Sequence, residues 1–324
     1  MGALMTHHFL FVAKVMTPLE LDDHSGSALR GIFFDAVWKR FCTNKASPTC
    51  ADCPLHTLCP VSALVAPLRE ENARGRDVPR PYIILPPLGK ARRYEPGQEL
   101  LFGVTLFGNI VQLFPYLVLS IPLLESSGLG KRVAEGGKQR GRFQVKRIDS
   151  YHPLSKERRT IYQADRPQVD APALTVTPDQ VRAKAATLAT DAITLHFLTP
   201  TRLVEQAHPL HKVAFRPLIW RLLDRFTALQ NEYGDGSGEE SIAHDLHQYL
   251  DLAESVNCID DATAWEEVQS YSQRQKSFSP IGGICGRVTF AGDLAPFREL
   301  LTWGELIHVG KNCVKGNGWY TIEA

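Results

Sequence analysis

The chain has 324 residues, of which 44% are hydrophobic and 22% are charged, and its formal net charge is +1. This length and apolar content are sufficient for two globular domains, and the near-neutral charge excludes a uniformly basic protein, so any nucleic-acid surface must come from local clusters of Lys and Arg. We find no export signal and no apolar run of the roughly 18 residues that a membrane helix needs, and we therefore expect a cytoplasmic protein without a membrane partner.

The first half of the chain predicts a strand, a helix and two further apolar segments. Residues 7–16 read as a β-strand, and 25–41 carry apolar residues at helical spacing behind a serine that can act as N-cap. Apolar stretches at 99–108 and 113–124 follow a Pro-rich connection, and their ends at Gly and Pro fit either strands or helices. We assign residues 1–170 to an N-terminal domain.

Four of the seven cysteines lie in one insertion, residues 42–59. An odd cysteine number without an export signal argues against a disulfide framework. Thiolates with C-x7-C-x2-C-x5-C spacing suit a structural tetrahedral zinc ion, an iron–sulfur cluster uses the same ligands, and four unliganded thiols are the remaining alternative. We expect zinc, without a catalytic metal, and its ligands would be Cys42, Cys50, Cys53 and Cys59.

Residues 128–147 contain five glycines and seven Lys or Arg against one acid. We interpret this segment as a mobile basic strip that binds phosphates, with Phe143 available to stack on a base; a solvated loop without a ligand is the alternative. The expected phosphate contacts are Lys131, Arg132, Lys138, Arg140 and Arg142.

The second half repeats the pattern of the first. A Pro-rich segment, 163–180, reads as a linker, a strand begins at Ala192, and the amphipathic helix after it closes at Gly234. The last 45 residues predict strand, helix and strand. Each half approximates a split β-α-β unit, which predicts an α+β protein of two tandem ferredoxin-like, RRM-like domains, the second spanning 185–324.

A glycine-rich loop at 310–318 precedes the last strand. Its glycines permit conformations closed to other residues and let backbone N–H groups approach phosphates, while its lysines supply charge. A tight helix-to-strand turn is the equally weighted alternative, because the loop is neither a Walker loop nor a dinucleotide fingerprint. The residues concerned are Gly310, Lys311, Lys315, Gly316 and Gly318.

Two of the eleven histidines lie in or beside a loop that could present a functional group. His24 is in the DDHSGS turn between the first strand and the first helix, and His308 adjoins the glycine-rich loop. The sequence has no HExxH, GxSxG or paired-acid motif, which argues against the usual hydrolase and metalloprotease classes.

These segments together resemble the CRISPR-associated RNA-processing endoribonucleases of the RAMP superfamily. The C-terminal half carries most of the resemblance, in FLTPTRL, FRPLIWRLLDRFTAL with EYG, and the stretch from YSQRQKSFSPIGG to KGNGWYTI. The N-terminal half is similar more loosely, in SALRGIFFDAV, CADCPLHTLCPVSAL and GLGKRVAEGGKQRGRF.

The resemblance implies two ferredoxin-like domains that clasp a CRISPR repeat RNA and cleave it without a metal, by attack of the ribose 2′-OH on the adjacent phosphate. It implies His24 as general acid or base and Lys311 and His308 as further catalytic candidates. Further RNA contacts would come from Arg30, Lys39 and Arg274.

Two other interpretations remain open. A RAMP subunit that binds mature CRISPR RNA within an effector complex, with other CRISPR subunits as partners, would share the fold and the loops without cleavage. An iron–sulfur redox protein would account for the cysteines, but nothing else in the sequence supports it.

Overall fold

The computed structural model describes residues 3–67, 78–89, 93–133, 138–236, 246–272 and 276–323. The chain forms two compact units. The N-terminal unit is Met5–Thr175, and the C-terminal unit begins at Val176 and also includes the start of the chain, up to Leu4. The boundary between Thr175 and Val176 falls inside the Pro-rich segment 163–180.

The N-terminal unit is built on an antiparallel sheet. Its strands run in the order β3-β5-β1-β8-β9. The elements, in chain order, are β1 (Thr6–Val15), β2 (Leu19–Glu20), α1 (Gly26–Phe41), α2 (Pro60–Val65), β3 (Tyr82–Leu85), β4 (Arg93–Tyr94), β5 (Glu99–Phe107), a 3₁₀ turn (Gly108–Leu113), α3 (Phe114–Ser127), β6 (Leu129–Val133), β7 (Gln139–Gly141), β8 (Phe143–Tyr151), β9 (Arg158–Gln163) and, where the chain leaves the unit, β10 (Thr175–Val176).

The order of these strands is that of a ferredoxin-like fold. Taking β1, β3, β5 and β8 as its first to fourth strands gives a sheet order of 2-3-1-4, with α1 after the first strand and α3 after the third. The apolar stripe of α1 is buried at Leu29, Ile32, Phe33, Ala36 and Val37, as its helical spacing predicts.

The apolar segment 113–124 is helical and forms most of α3. Together with the preceding 3₁₀ turn it makes a 20-residue helix, Gly108–Ser127, which by length and composition alone could cross a membrane. The expectation that no segment is long and apolar enough is therefore wrong. Length and composition are weak evidence for a span, because the core helix of a globular domain passes the same test, and α3 packs on α1 with Phe114, Leu117 and Ile121 buried.

The C-terminal unit is built on a second antiparallel sheet, with the strand order β14-β17-β11-β18. Its elements are α4 (Pro178–Ala186), β11 (Ala192–Thr201), β12 (Val204–Glu205), β13 (His208–Pro209), α5 (Phe215–Tyr233), α6 (Leu246–Glu254), β14 (Asn257–Glu266), β15 (Gln269–Ser272), β16 (Ser277–Pro280), β17 (Gly283–Ala291), a 3₁₀ turn (Ala295–Phe297), α7 (Arg298–Ile307), a second 3₁₀ turn (Cys313–Lys315) and β18 (Tyr320–Glu323).

This unit has the same fold as the first. With β11, β14, β17 and β18 as first to fourth strands, the sheet order is again 2-3-1-4, and α5 and α7 occupy the two crossover positions. The amphipathic helix closes at Gly234 as predicted, since Gly234 is the C-cap of α5. The prediction of an α+β protein with two tandem ferredoxin-like domains is confirmed.

Candidate functional site

The glycine-rich loop connects α7 to β18 and folds back on its own backbone. Gly310 has φ of 86°, and a Cβ added to it would lie 2.5 Å from the carbonyl oxygen of Arg202. Gly318 has φ of 73°, and a Cβ there would overlap the carbonyl oxygen of Val309. Both glycines are therefore required by the turn itself, whatever the loop binds.

The backbone amides of this loop are largely occupied by protein carbonyls. Lys311 N donates to Arg202 O at 3.0 Å, Gly316 N to Cys313 O at 2.8 Å, and Gly318 N to Pro200 O at 3.1 Å. These groups do not point at a ligand, so any attraction for phosphate must come mainly from side chains. Lys311 is exposed, and Lys315 Nζ lies 3.4 Å from Ser270 Oγ.

Buried polar side chains fix the glycine-rich loop in place through hydrogen bonds. Asn317 is fully buried and donates to Ile281 O at 2.9 Å, while Thr199 Oγ1 donates to Gly316 O at 2.8 Å. His308 is only 1% exposed, its Nδ1 lies 3.1 Å from Asn317 O, and its ring stacks on Trp319 at 5.7 Å. In this position His308 supports the loop and does not reach its outer surface.

His24 lies at the start of α1 in the N-terminal unit. It directly precedes Ser25, the N-cap residue, and it is 7% exposed, so its side chain is buried instead of presented by a surface turn. The first turn of α1 carries no acidic residue. The amide dipoles at such a helix start favour a phosphate.

The two cations of α1 differ in environment. Arg30 is half-buried, with its guanidinium 6.0 Å from the ring centre of Phe34 and close to the hydroxyl of Tyr82. Lys39 is exposed in the last turn, and its Nζ lies 3.8 Å from Asp35 Oδ2. Neither placement tests an RNA contact, and Arg274 lies outside the described residues.

The described part of the basic strip is a β-hairpin of β6 and β7; residues 134–137 lie outside the described part of the chain. A Cβ on Gly130 would overlap Glu20 O, and one on Gly141 would lie 2.5 Å from Leu19, so these glycines serve close packing on β2. These residues of the basic strip are a paired hairpin packed on β2, and its mobility stays a prediction. Phe143 cannot stack on a base, because it is 2% exposed and packs edge-on against Phe102, 6.0 Å between centroids.

The hairpin does present cations to solvent. Arg132 and Arg140 are exposed and lie directly opposite each other in the β6–β7 register, an arrangement of like charges that is unfavourable without an anion. Lys138 and Arg142 are exposed beside them. Lys131 is different, because its Nζ lies 3.2 Å from Glu20 Oε1 and 3.5 Å from Asp22 Oδ1, which already neutralise it.

The four-cysteine insertion joins α1 to α2. Cys42 is the C-cap of α1 and Cys59 the N-cap of α2, and Cys53 N donates to Cys50 O in the turn between them. Burial raises the pKa of the Cys50 thiol, and the neighbouring sulfurs of the other three cysteines raise it further. The described residues nevertheless contain no group of three or more His, Cys, Asp or Glu already arranged to hold a metal ion, so zinc stays a prediction.

Beside the glycine-rich loop lies a cluster that sequence reasoning missed. The ring of His211 stacks on Trp265 at 4.3 Å, and the guanidinium of Arg202 lies 5.6 Å from the same indole. These residues come from three separate segments without a motif spacing. Local sequence patterns therefore could not predict this cluster.

Two family models match the chain. One, AF_1859_N, is described as an N-terminal domain and matches residues 4–174. The other is described as CRISPR-associated endoribonuclease Cas6 and matches residues 195–320. With the two ferredoxin-like folds, these matches define a protein whose C-terminal domain is of the CRISPR-associated Cas6 type. The first model alone spans more than half of the chain, so the chain belongs to the family that carries this N-terminal domain, and the second model identifies residues 195–320 as a Cas6-like domain.

Solved structures share the fold at low sequence identity. The chain matches a Cas6 (TTHB231) product complex with a TM-score of 0.57 at 12% identity, covering 98% of this chain and 99% of the other. It matches Thermus thermophilus Cas6 (TTHB231) with a TM-score of 0.55 at 14% identity, covering 100% of both chains. It also matches a chain of a partial Cas6-RT-Cas1–Cas2 complex with a TM-score of 0.61 at 11% identity, covering 99% of this chain and 46% of that one. A comparison with curated protein sequences gives no match.

Proposed function

We propose that this protein is an endoribonuclease that cleaves CRISPR repeat RNA in precursor transcripts to give mature CRISPR RNA. The observation that carries the proposal is the match of residues 195–320 to the family model described as CRISPR-associated endoribonuclease Cas6. That region contains the glycine-rich loop with its exposed Lys311. The opposed, exposed Arg132 and Arg140 of the N-terminal unit add a surface suited to phosphates.

The proposed reaction needs no group from outside the RNA as nucleophile. The ribose 2′-oxygen attacks the adjacent phosphorus as a base removes its proton, the bond from phosphorus to the 5′-oxygen breaks, and an acid protonates that oxygen. The products are a 2′,3′-cyclic phosphate and a 5′-hydroxyl. Acid–base groups of this kind contribute about 10²- to 10⁴-fold each, and cations stabilise the charge that builds on the phosphorane.

We assign the proton transfer to His24 of the N-terminal unit, and Lys311 of the C-terminal unit is a separate candidate for stabilising charge on the RNA. Histidine suits acid–base work near neutral pH, and His24 lies at the start of α1, where the helix favours an anion. Because His24 is buried, its side chain must turn outward, or RNA binding must displace the residues that cover it, before it can react. His308 would act by supporting the loop, since its Nδ1 is engaged with Asn317 O.

Cleavage of a cognate repeat RNA in EDTA tests this function. We expect cutting to continue without divalent metal and to leave a 2′,3′-cyclic phosphate, and a 2′-deoxy nucleotide at the scissile position should abolish cutting while leaving binding intact. A strict requirement for Mg²⁺, or continued cutting of the 2′-deoxy substrate, would contradict the mechanism.

A second candidate is a non-catalytic RAMP subunit that binds CRISPR RNA among other CRISPR effector subunits. The burial of both candidate histidines, 7% exposed for His24 and 1% for His308, favours it. The same assay separates the two, because a binding subunit would retain the repeat RNA uncut. A cytoplasmic location without a membrane partner stays a prediction in either case.

A further inference from the structure

The cluster of Trp265, His211 and Arg202 is an aromatic and cationic surface that the proposed reaction does not use. The imidazole of His211 and the indole of Trp265 are 4.3 Å apart between centroids and inclined by 30°. His211 is exposed and Trp265 is half-buried, so the pair lies at the surface of the C-terminal unit.

Rigid elements hold this pair in place. Trp265 belongs to β14 and pairs with Ile284 of β17, and its indole Nε1 donates to Glu267 Oε1 at 2.7 Å. His211 follows β13, where Leu210 N donates to Leu203 O at 2.9 Å. Because the polar edge of the indole is bonded and His211 lies against one of its faces, the exposed imidazole of His211 on top of the indole is the part available for a further contact.

Arg202 connects the pair to the glycine-rich loop. Its guanidinium lies 5.6 Å from the Trp265 ring and donates to Pro280 O at 3.4 Å, while its backbone oxygen accepts from Lys311 N at 3.0 Å. A strand whose phosphates approach Lys311 therefore has an aromatic surface beside it in the same unit.

Stacked rings flanked by a cation match the chemistry of an unpaired nucleobase. Bases stack on His and Trp rings and on guanidinium planes, and the contact tolerates any base because each one has a π-face. His211 is exposed, so a base in solution can reach its ring.

We propose that His211 and Trp265, flanked by Arg202, form a stacking site for an unpaired base of the bound RNA. The site lies in the C-terminal unit next to the glycine-rich loop and sets the path of the strand without recognising a particular base. This inference rests on the proposed function, since it requires an RNA ligand.

Two probes of equal charge separate stacking from electrostatic attraction. One is a fluorescein-labelled adenosine 12-mer, and the other is an abasic ribose-phosphate strand of the same length. The change to make is Trp265→Ala in the full chain. We expect it to weaken adenosine 12-mer binding about 5- to 150-fold, as removal of one stacked base does, and to leave abasic-strand binding unchanged.

The control is Trp220→Ala, which removes a 37% exposed Trp from α5 of the same unit and should leave both affinities unchanged. Trp265→Phe should retain most of the adenosine 12-mer affinity. If Trp265→Ala does not fold, His211→Ala replaces it, because that residue is exposed.

Equal losses for the two probes, or no loss, would overturn the stacking site while leaving the proposed function standing if the wild-type protein still cuts repeat RNA. A wild-type protein that binds neither probe and no repeat RNA would overturn both.

Discussion

His24 and His308 are both buried, although each adjoins a segment that we propose to bind phosphate. A buried imidazole can still act if binding exposes it, and apo geometry alone does not disqualify a general acid or base. The environments differ: His308 contacts the loop backbone through Nδ1, while His24 precedes a helix start without carboxylates in its first turn. His24 is therefore the better candidate for proton transfer.

The variant His24→Ala should cut repeat RNA at least about 100-fold more slowly in single-turnover assays, because it removes one acid–base group. Its affinity for the RNA should stay nearly unchanged. His208→Ala, which removes an exposed histidine, is the control. If His24→Ala cuts normally and Lys311→Ala does not, the reacting group belongs to the glycine-rich loop.

Two other histidines make the N-terminal unit sensitive to acid. Burial lowers the pKa of His7 to about 4 and, together with the nearby His7 and His152, that of His8 to about 3. His8 lies between Thr6 Oγ1 and Thr105 Oγ1, each 2.9 Å from a ring nitrogen. The folded state keeps these rings neutral, whereas the unfolded chain protonates them below about pH 6.5.

Stability should therefore fall as the pH drops from about 6.5 towards 4, by up to about 1.4 kcal/mol per pH unit for each of the two histidines. Urea unfolding at a series of pH values measures this slope. His8→Gln should make the slope shallower, and the exposed His208→Gln should not change it. An unchanged slope in His8→Gln would show that His8 is not the titrating group.

At the scale of elements, the β6–β7 hairpin gives a sharp test of RNA binding. Replacing Arg132 and Arg140 by Gln should weaken binding of single-stranded RNA and flatten the slope of log K against log salt by about 1.4, at roughly 0.7 per phosphate contact. Lys131→Gln is the matched control, because its charge is paired with Glu20 and Asp22, and it should change the slope less. Equal slopes in the wild type and the double variant would show that the two arginines are only solvated.

The four-cysteine insertion should hold about one zinc ion per chain and stabilise the connection between α1 and α2. Four thiolates would fill the coordination of such an ion and leave it a structural role. Elemental analysis separates zinc from iron. A Cys50→Ser, Cys53→Ser double variant with an unchanged melting temperature would contradict the structural role.

At the scale of the whole molecule, the fold followed from the sequence because strand and helix periods are local. The apolar spacing of α1 and α5 and the glycine after α5 each reflect a pattern within about 20 residues. The site did not follow, because burial depends on distant segments. Nothing near Phe143 in the chain indicates its distant partner Phe102, and the spacing of His308 and Asn317 does not show that the loop between them folds back over the histidine.

The role of the loop glycines also depends on packing that local sequence patterns do not show. Their number and the nearby lysines indicated a phosphate-binding loop, but the space that Gly310 and Gly318 occupy is needed by the backbone of Arg202 and Val309. Likewise, the three residues of the Trp265 cluster meet only because the residue that follows β11, the segment after β13, and β14 converge in the folded unit.

The shared 2-3-1-4 strand order makes the chain an internal duplication at the level of topology. The connection between the first strand and the first helix consequently occurs twice, once between β1 and α1 and once between β11 and α5. The first connection contains His24, which is buried, and the second contains His208 and His211, which are both exposed. Since one copy can change without altering the other, the same topological connection can carry a buried histidine in one unit and exposed histidines in the other, for separate tasks.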